Sequence, residues 1–281
     1  MTPQDFACLP ELFTFTVDVE AHREGSTGIA RCRQATHAIL DFLESGAQQG
    51  TFFILGSLAK AAPDIVRAIA QRGHEIASHA VDHLPMERQD RQSFGQEIKD
   101  SRHFLEDLSS SPVLGFRAPF FSLTSKAEWA IAELLHAGFT YSSSIVPGRS
   151  FVRSWPGAPA DPFLWPGGLL ELPCPIGRLG RLPMGLPCLG GINLRYLPAY
   201  RLRRMLKTIK SRAIWTYCHP YEFDLDEPYG LAPGIGPLAS YLLWANRRTL
   251  IERLGLFMQG RRSVAFAQRM AEIRGYLPAA G

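Results

Sequence analysis

The chain has 281 residues, 46% of them hydrophobic and 20% charged, which supplies a full-sized core and excludes a disordered or solvating chain. Its net charge of +4 falls short of the dense basic patch of a dedicated nucleic-acid binder. No apolar stretch approaches the roughly 18 residues of a spanning helix, and the opening MTPQDFACLPELFTFTV has no basic leader, so a cytoplasmic protein is expected. Five scattered cysteines (Cys8, Cys32, Cys174, Cys188, Cys218) never form C-x-x-C, and they read as reduced, mostly buried thiols.

LFTFTV at 12–17 reads as a strand buried on both faces, followed by a helical stretch at about 34–45. TFFIL at 51–55 is a second strand. Pro63 suits a helix first turn, with Ile65, Val66 and Ile69 inward and Gly73 as its cap. HEIAS at 74–78 is a third strand, and Phe94, Ile98, Leu105 and Leu108 repeat at helical spacing. VLGF at 113–116 is a fourth strand; a helix lined by Ala127, Ala130, Ile131, Leu134 and Leu135 stops at Gly138, and FTYS begins a fifth. LLELP at 169–173 and AIWTYC at 213–218 complete seven strands, with irregular Pro- and Gly-rich segments at 145–168 and up to about 195. The remainder, 225–281, reads as a loop and two helices. Strands alternating with helices of this length pair in parallel through right-handed crossovers, and seven such units favour a (β/α) barrel in a single domain, 1–281.

Side chains that do chemistry in such folds sit at the carboxyl ends of the strands. Here the first strand ends in Asp18-Val19-Glu20, the third in His79 with His83 four residues on, the fourth in Arg117-Ala118-Pro119, and the seventh in His219-Pro220. Asp18 and Glu20 share one side if the strand persists. His79 and His83 fall on one side of a helical turn, the spacing by which two imidazoles grip one metal ion. One carboxylate and two imidazoles leave open positions for water and substrate, the other carboxylate is free to take a proton, and His219 can return one. The competing structural readings are helix caps for the histidines and Asp18, a solvated Glu20 with His22 as the ligand instead, and a packed core His219.

The order T-V-D-V-E (16–20), T-F-F (51–53), G-H-E-I-A-S-H-x-x-x-H (73–83), G-F-R-A-P-F (115–120) and H-P (219–220) resembles the polysaccharide deacetylase (NodB-homology, carbohydrate esterase 4-like) family, in particular its exopolysaccharide and peptidoglycan deacetylase branch. The resemblance covers about residues 12–222, leaving 225–281 as a C-terminal helical extension. It implies a distorted (β/α)7 barrel that removes acetyl groups from N-acetylated sugars with a divalent metal, most often zinc. Asp18 becomes the general base, Glu20, His79 and His83 the metal ligands, Arg117 the partner orienting Asp18, and His219 the general acid. Pro119, Phe120 and Tyr141, together with Trp165, are the expected substrate contacts.

The chain departs from that pattern in three places. Glu20 stands where Asp is usual; Tyr141-Ser142-Ser143-Ser144 replaces Tyr-Asp-Ser-Ser, which predicts a lower pKa for His219 unless Glu171 or Glu222 compensates; and Tyr217-Cys218 reshapes the pocket for the acetyl methyl. Phe151, Trp155, Phe163 and Trp165 read either as a sugar-stacking wall above the rim or as packing that covers the barrel mouth, with the stacking role favoured because sugars stack on aromatic faces. The acid-free basic run 195–212 reads either as a solvated helix face or as an attraction for anionic lipid headgroups or a lipid-linked saccharide, which would place the protein peripherally at a membrane. Two other functions remain open on the sequence: C–N hydrolysis of a non-sugar amide or imide, and saccharide binding without catalysis.

Overall fold

A computed structural model of the chain describes residues 1–150, 153–178, 180, 184–232, 234 and 236–277. Strand β1 (Leu12–Val19) is buried from its second residue onward. Its β-branched and aromatic side chains suit a strand covered on both faces. It is followed in chain order by β2 (Gly50–Ile54), β3 (Glu75–Ser78), β4 (Gly115–Phe116), β5 (Tyr141–Ser142), β6 (Phe163–Leu164), β7 (Leu170–Glu171), β8 (Gly177–Arg178), β9 (Gly185–Leu186), β10 (Trp215–Cys218) and β11 (Arg262–Ser263). Every neighbouring pair in the order β10–β1–β2–β3–β4–β5–β7 is parallel, and β6 adds an antiparallel edge. This is the expected distorted (β/α)7 barrel. Among the described residues no strand pairing joins β7 to β10; the Trp215 indole crosses that seam, donating from Nε1 to Pro173 O at 3.2 Å.

The crossovers are α1 (Gly25–Ser45), α2 (Gly56–Ala61) with α3 (Pro63–Gln71), α4 (Arg91–Ser109) and α5 (Ala130–His136). Helix α1 begins nine residues before the periodicity at 34 announces it. Its first turn, GSTG, has poor helix propensity, yet it needs Gly28, where a Cβ would sit 1.9 Å from the Arg23 carbonyl oxygen. Later come α6 (Gly191–Tyr196), α7 (Ala199–Leu206), α8 (Pro237–Trp244), α9 (Arg247–Met258) and α10 (Phe266–Arg274). The C-terminal part thus carries three helices and a strand where the sequence pattern suggested two helices. The short β11 has no strand signal of its own. It forms because β1 starts earlier than β2 and leaves Leu12 and Phe13 free to pair with it.

This C-terminal part is tied to the barrel at both ends. At the amino ends of the strands, the first turn of α10 is capped from the sheet: Phe266 N donates to Thr51 Oγ1 at 2.9 Å and Ala267 N to Glu75 Oε2 at 3.0 Å. The fully buried Phe266 ring packs against Phe53, Tyr141 and Trp215 and plugs the barrel floor. At the carboxyl ends, buried Glu227 accepts from Arg23 Nε at 2.9 Å and Arg247 Nη2 at 2.6 Å, with His22 Nε2 at 3.2 Å and Arg31 Nε at 3.9 Å. Burial works against its charge, but the hydrogen bonds from His22, Arg247 and Arg23 prevail and hold the carboxyl down at about 2.

Two outcomes follow from these ties. Phe266→Ala is expected to cost about 3–5 kcal/mol in urea unfolding; a loss under about 1 kcal/mol would mean that the floor is sealed without it. Because Glu227 titrates below the ordinary carboxylate value of about 4.3, its stabilisation is complete above that pH and is lost as pH falls toward 2. Glu227→Gln should therefore cost about 3 kcal/mol at neutral pH, with the gap to the parent protein closing in acid. A gap that stays constant with pH would refute the assignment.

Candidate functional site

The carboxyl ends of β1, β3, β4 and β10 open onto one cavity of about 810 Å³, whose lining includes Asp18, Glu20, His79, His83 and His219. Asp18 is still in β1, opposite Phe53 of β2, and Glu20 lies just past the strand end. His79 follows β3 directly, with its N–H on Ile54 O at 2.8 Å. The segment 79–83 is not the helical turn expected from the sequence. Ala80 takes φ +68°. Gly56 N and Ser57 N donate to Ala80 O and Val81 O at 2.9 Å each. The start of α2 thus captures the backbone that a helix would have used internally. The two imidazoles meet anyway, ring centroids 5.5 Å apart.

Donor atoms of Glu20, His79 and His83 all lie within 4.8 Å of one another. His83 Nε2 is 2.7 Å from Glu20 Oε2. His79 donates from Nδ1 to Arg117 O at 2.9 Å, which leaves Nε2 as a neutral lone pair aimed at the cluster. Burial keeps the His79 imidazole down at about 4, and Glu20, despite its own burial, is held down to about 2 by His83 and His219. A carboxylate and neutral imidazoles at this spacing are the donor set of an open divalent-cation site, and the extra methylene of Glu20 does not prevent its carboxylate from reaching both rings. His22, the alternative ligand, is paired with Glu227 instead.

Arg117 is fully buried. It donates from Nη1 to Asp18 Oδ1 at 2.7 Å and Thr16 Oγ1 at 2.8 Å, from Nη2 to Ser143 Oγ at 3.0 Å, and from Nε to Ser143 O at 3.2 Å. Its guanidinium carbon lies 3.9 Å from the Phe53 ring centroid and 4.5 Å from that of Trp215. Desolvation raises the Asp18 pKa, but the Arg117 charge and hydrogen bond, together with the His79 and His219 charges, outweigh it and keep the carboxyl below its usual range.

Of the two carboxylates expected to compensate for the missing aspartate, it is Glu222 that reaches His219. Buried Glu222 brings Oε2 to 3.2 Å from His219 Nδ1 and also accepts the His219 backbone N–H at 3.0 Å. Burial disfavours the imidazolium, yet the Glu222 hydrogen bond and the Glu20, Glu222 and Asp18 charges raise its pKa to about 9. Arg195 Nε stands 3.3 Å from Glu222 Oε1, and a Cβ at Gly191 would come within 2.1 Å of the same carboxylate. The sequence does carry a sign of this: Glu222 occupies the third position of a capping box begun by His219. Glu171 is occupied elsewhere, taking Ser144 N at 2.7 Å and Trp165 Nε1 at 3.0 Å.

The expected substrate contacts separate. Phe120, at φ +58°, lines the cavity with its ring 4.2 Å from that of His83. Pro119 is buried outside the lining. Tyr141 is buried on the barrel floor, its hydroxyl donating to Glu75 Oε1 at 2.9 Å. Trp165 is buried against Trp155 and Phe163, so this aromatic run packs on itself rather than facing the cavity; Phe151 lies outside the described residues. Tyr217 lines the cavity beside Phe121, while Cys218 is buried behind it. In the basic run, Arg195 faces Glu222, Arg203 pairs with Asp5 and Arg212 with Asp161, while Arg201, Arg204 and Lys207 are exposed.

Residues 15–141 match the family model of polysaccharide deacetylase, and residues 143–271 match a domain of unknown function (DUF3473). A peptidoglycan-N-acetylglucosamine deacetylase of Bacillus cereus is 31% identical over 84 residues, 30% of this chain and 39% of that protein. A chitooligosaccharide deacetylase of Rhizobium leguminosarum bv. trifolii is 38% identical over 66 residues, 24% of this chain and 31% of that protein. The chain therefore matches well under half the length of either relative. A solved structure from Mycobacterium smegmatis, provisionally assigned as a polysaccharide deacetylase, superposes with TM-score 0.59 at 19% identity, covering 94% of this chain and 90% of the other. Puue allantoinase superposes with TM-score 0.60 at 14% identity, covering 98% and 93%. At these identities the superpositions establish the fold alone.

Proposed function

The chain belongs to the polysaccharide deacetylase family, and on that footing we propose that it is a metal-dependent hydrolase removing N-acetyl groups from an N-acetylhexosamine-containing glycan, glycolipid or glycoside. The observation that carries this reading is the convergence of Glu20, His79 and His83 donors within 4.8 Å on the rim that also bears an Arg117-bound Asp18. Those three residues would hold a divalent cation, for which the mixed imidazole and carboxylate set suits zinc. Bound there, the cation supplies Lewis acidity to the amide carbonyl and to an attacking water.

The remaining chemistry falls to the chain's own groups. Asp18 stands outside the ligand trio and is kept ionised by Arg117, so it takes the proton from the attacking water at the free carboxylate oxygen. His219 carries its proton on the ring nitrogen facing Glu20, 3.7 Å away, and delivers it to the departing sugar amine. Glu222 fixes the His219 tautomer by accepting from Nδ1 and favours the protonated ring. Phe120, Tyr217 and Tyr221 offer aromatic faces around the site, suited to a saccharide ring.

The purified protein should release acetate from N-acetylated chitooligosaccharides, stop on treatment with a chelator and recover with zinc. Asp18→Asn should lower the rate about 10³-fold. Acetate release that survives either treatment sinks the reading, as does hydrolysis confined to cyclic ureides. Glu222→Gln should lower kcat on the acetamide about 10- to 100-fold with little change in KM. On p-nitrophenyl acetate, whose leaving group departs without protonation, the same variant should keep most of its activity. Equal losses on amide and ester would show Glu222 to be merely structural.

A further inference from the structure

We propose that the face built from the 225–231 turn and α8 docks onto an anionic lipid bilayer, and that the acetylated saccharide taken by the adjoining cavity is anchored in that bilayer. The second half of this statement rests on the deacetylase reading; the first does not.

Helix α8 is PLASYLLW, and only Ser240 of its eight residues is buried. Leu238 is 74% exposed and Leu231 61%, with Leu225, Tyr229 and Tyr241 also among the chain's exposed large apolar side chains. An apolar surface of this kind signals an apolar partner.

It is also a rigid surface whose polar groups are turned inward. Arg23 takes the carbonyls of Leu231 and Gly230 at 2.8 and 3.1 Å, and Ala232 N donates to Ser240 Oγ at 3.0 Å. Trp244 Nε1 donates to Glu227 O at 2.7 Å and Tyr229 OH to Pro237 O at 3.3 Å, while the Tyr229, Tyr241 and Trp244 rings pack together. What remains outward is leucine and aromatic ring, the composition of an element that rests in a membrane interface.

Two observations favour lipid over a second copy of the chain. Arg248 lines a hollow with Leu225, Tyr241 and Trp244, which sets a cation at the base of the apolar face, with Asp226 as the exposed acid of the turn. Arg248 beside the apolar face complements anionic headgroups. Finally, Ala232 and Leu243 on the inner side of this face line the catalytic cavity, so a bilayer touching Leu231 and Leu238 lies at the cavity mouth. Among the described residues no helix is long and apolar enough to cross a membrane.

The test is sedimentation with phosphatidylcholine vesicles, with and without phosphatidylglycerol, using the full chain and a Leu231→Asp, Leu238→Asp double variant. Neither residue lines the cavity, so acetate release from a soluble chitooligosaccharide should be unchanged in the variant and certifies its fold. The parent protein should bind the anionic vesicles more tightly than the neutral ones, and the double variant about a hundredfold more weakly. Equal binding by parent and variant overturns the docking surface, and so does a dimer that the variant dissolves in the absence of vesicle binding. An N-acetylglucosaminyl glycolipid embedded in the anionic vesicles should be deacetylated faster than the soluble sugar by the parent alone; equal rates overturn the anchored substrate. A protein that binds vesicles through this face and deacetylates nothing leaves the docking intact and sinks the deacetylase reading instead.

Discussion

The buried pair between Arg117 and Asp18 is the constraint on which the rest of the site depends. Taking a guanidinium and a carboxylate out of water costs several kcal/mol per ion, and their mutual attraction offsets this only when the other polar atoms are also satisfied. Here Thr16 and Ser143 take the remaining guanidinium contacts, and the Phe53 and Trp215 rings cover the guanidinium with π-faces. The same residue reaches further through its backbone: its N–H holds Ser78 O at the end of β3, and its carbonyl accepts from His79 Nδ1. One residue thus favours the ionised form of Asp18 and turns the free nitrogen of His79 toward Glu20 and His83. The serine run explains itself in the same terms, since Ser143 serves Arg117 and Ser144 Oγ takes Ala118 N.

A second buried charge cluster does for His219, the proposed acid, what the first does for Asp18, the proposed base. Glu222 accepts twice from His219 and faces Arg195, whose Nη1 is committed to the Leu243 and Ala245 carbonyls. The support of His219 is therefore local in sequence, coming from the turn that follows it. Ser142, where the family pattern has aspartate, hydrogen-bonds instead to Ser144 and Glu171.

The barrel was readable from its alternating strands and helices, and the rim because four of the seven apolar runs stop at an ionisable residue. What escaped the sequence depends on distant partners. His79 and His83 stand at helical spacing, yet the backbone between them was claimed by Gly56 and Ser57 from another element. Trp165 looked like a sugar platform because composition does not distinguish a ring facing solvent from one whose N–H has found a buried carboxylate, here Glu171. β11 and the Phe266 plug have no local signature, since their partners are Phe13, Thr51 and Glu75, some two hundred residues earlier. Glu222 was the exception: its capping-box spacing was legible, but its reach to the imidazole was not.

The two halves of the chain divide the chemistry without dividing the fold. Everything proposed to hold the cation and take the water's proton comes before residue 142; the proposed acid, its carboxylate and the apolar lip come after it. They are joined by main-chain register, with Val17 opposite Cys218, which sets Asp18 and His219 one step beyond on adjacent parallel strands. A slip of one residue between β1 and β10 would turn the side chains of one strand to the opposite face of the sheet and separate base from acid. The Trp215 bridge to Pro173 and the Arg269 hydrogen bonds to Thr14 and Ile214 act against that slip, because each grips one of these strands from outside the pair. The C-terminal part is in this sense what holds the reacting groups of the first half and the second in a common frame.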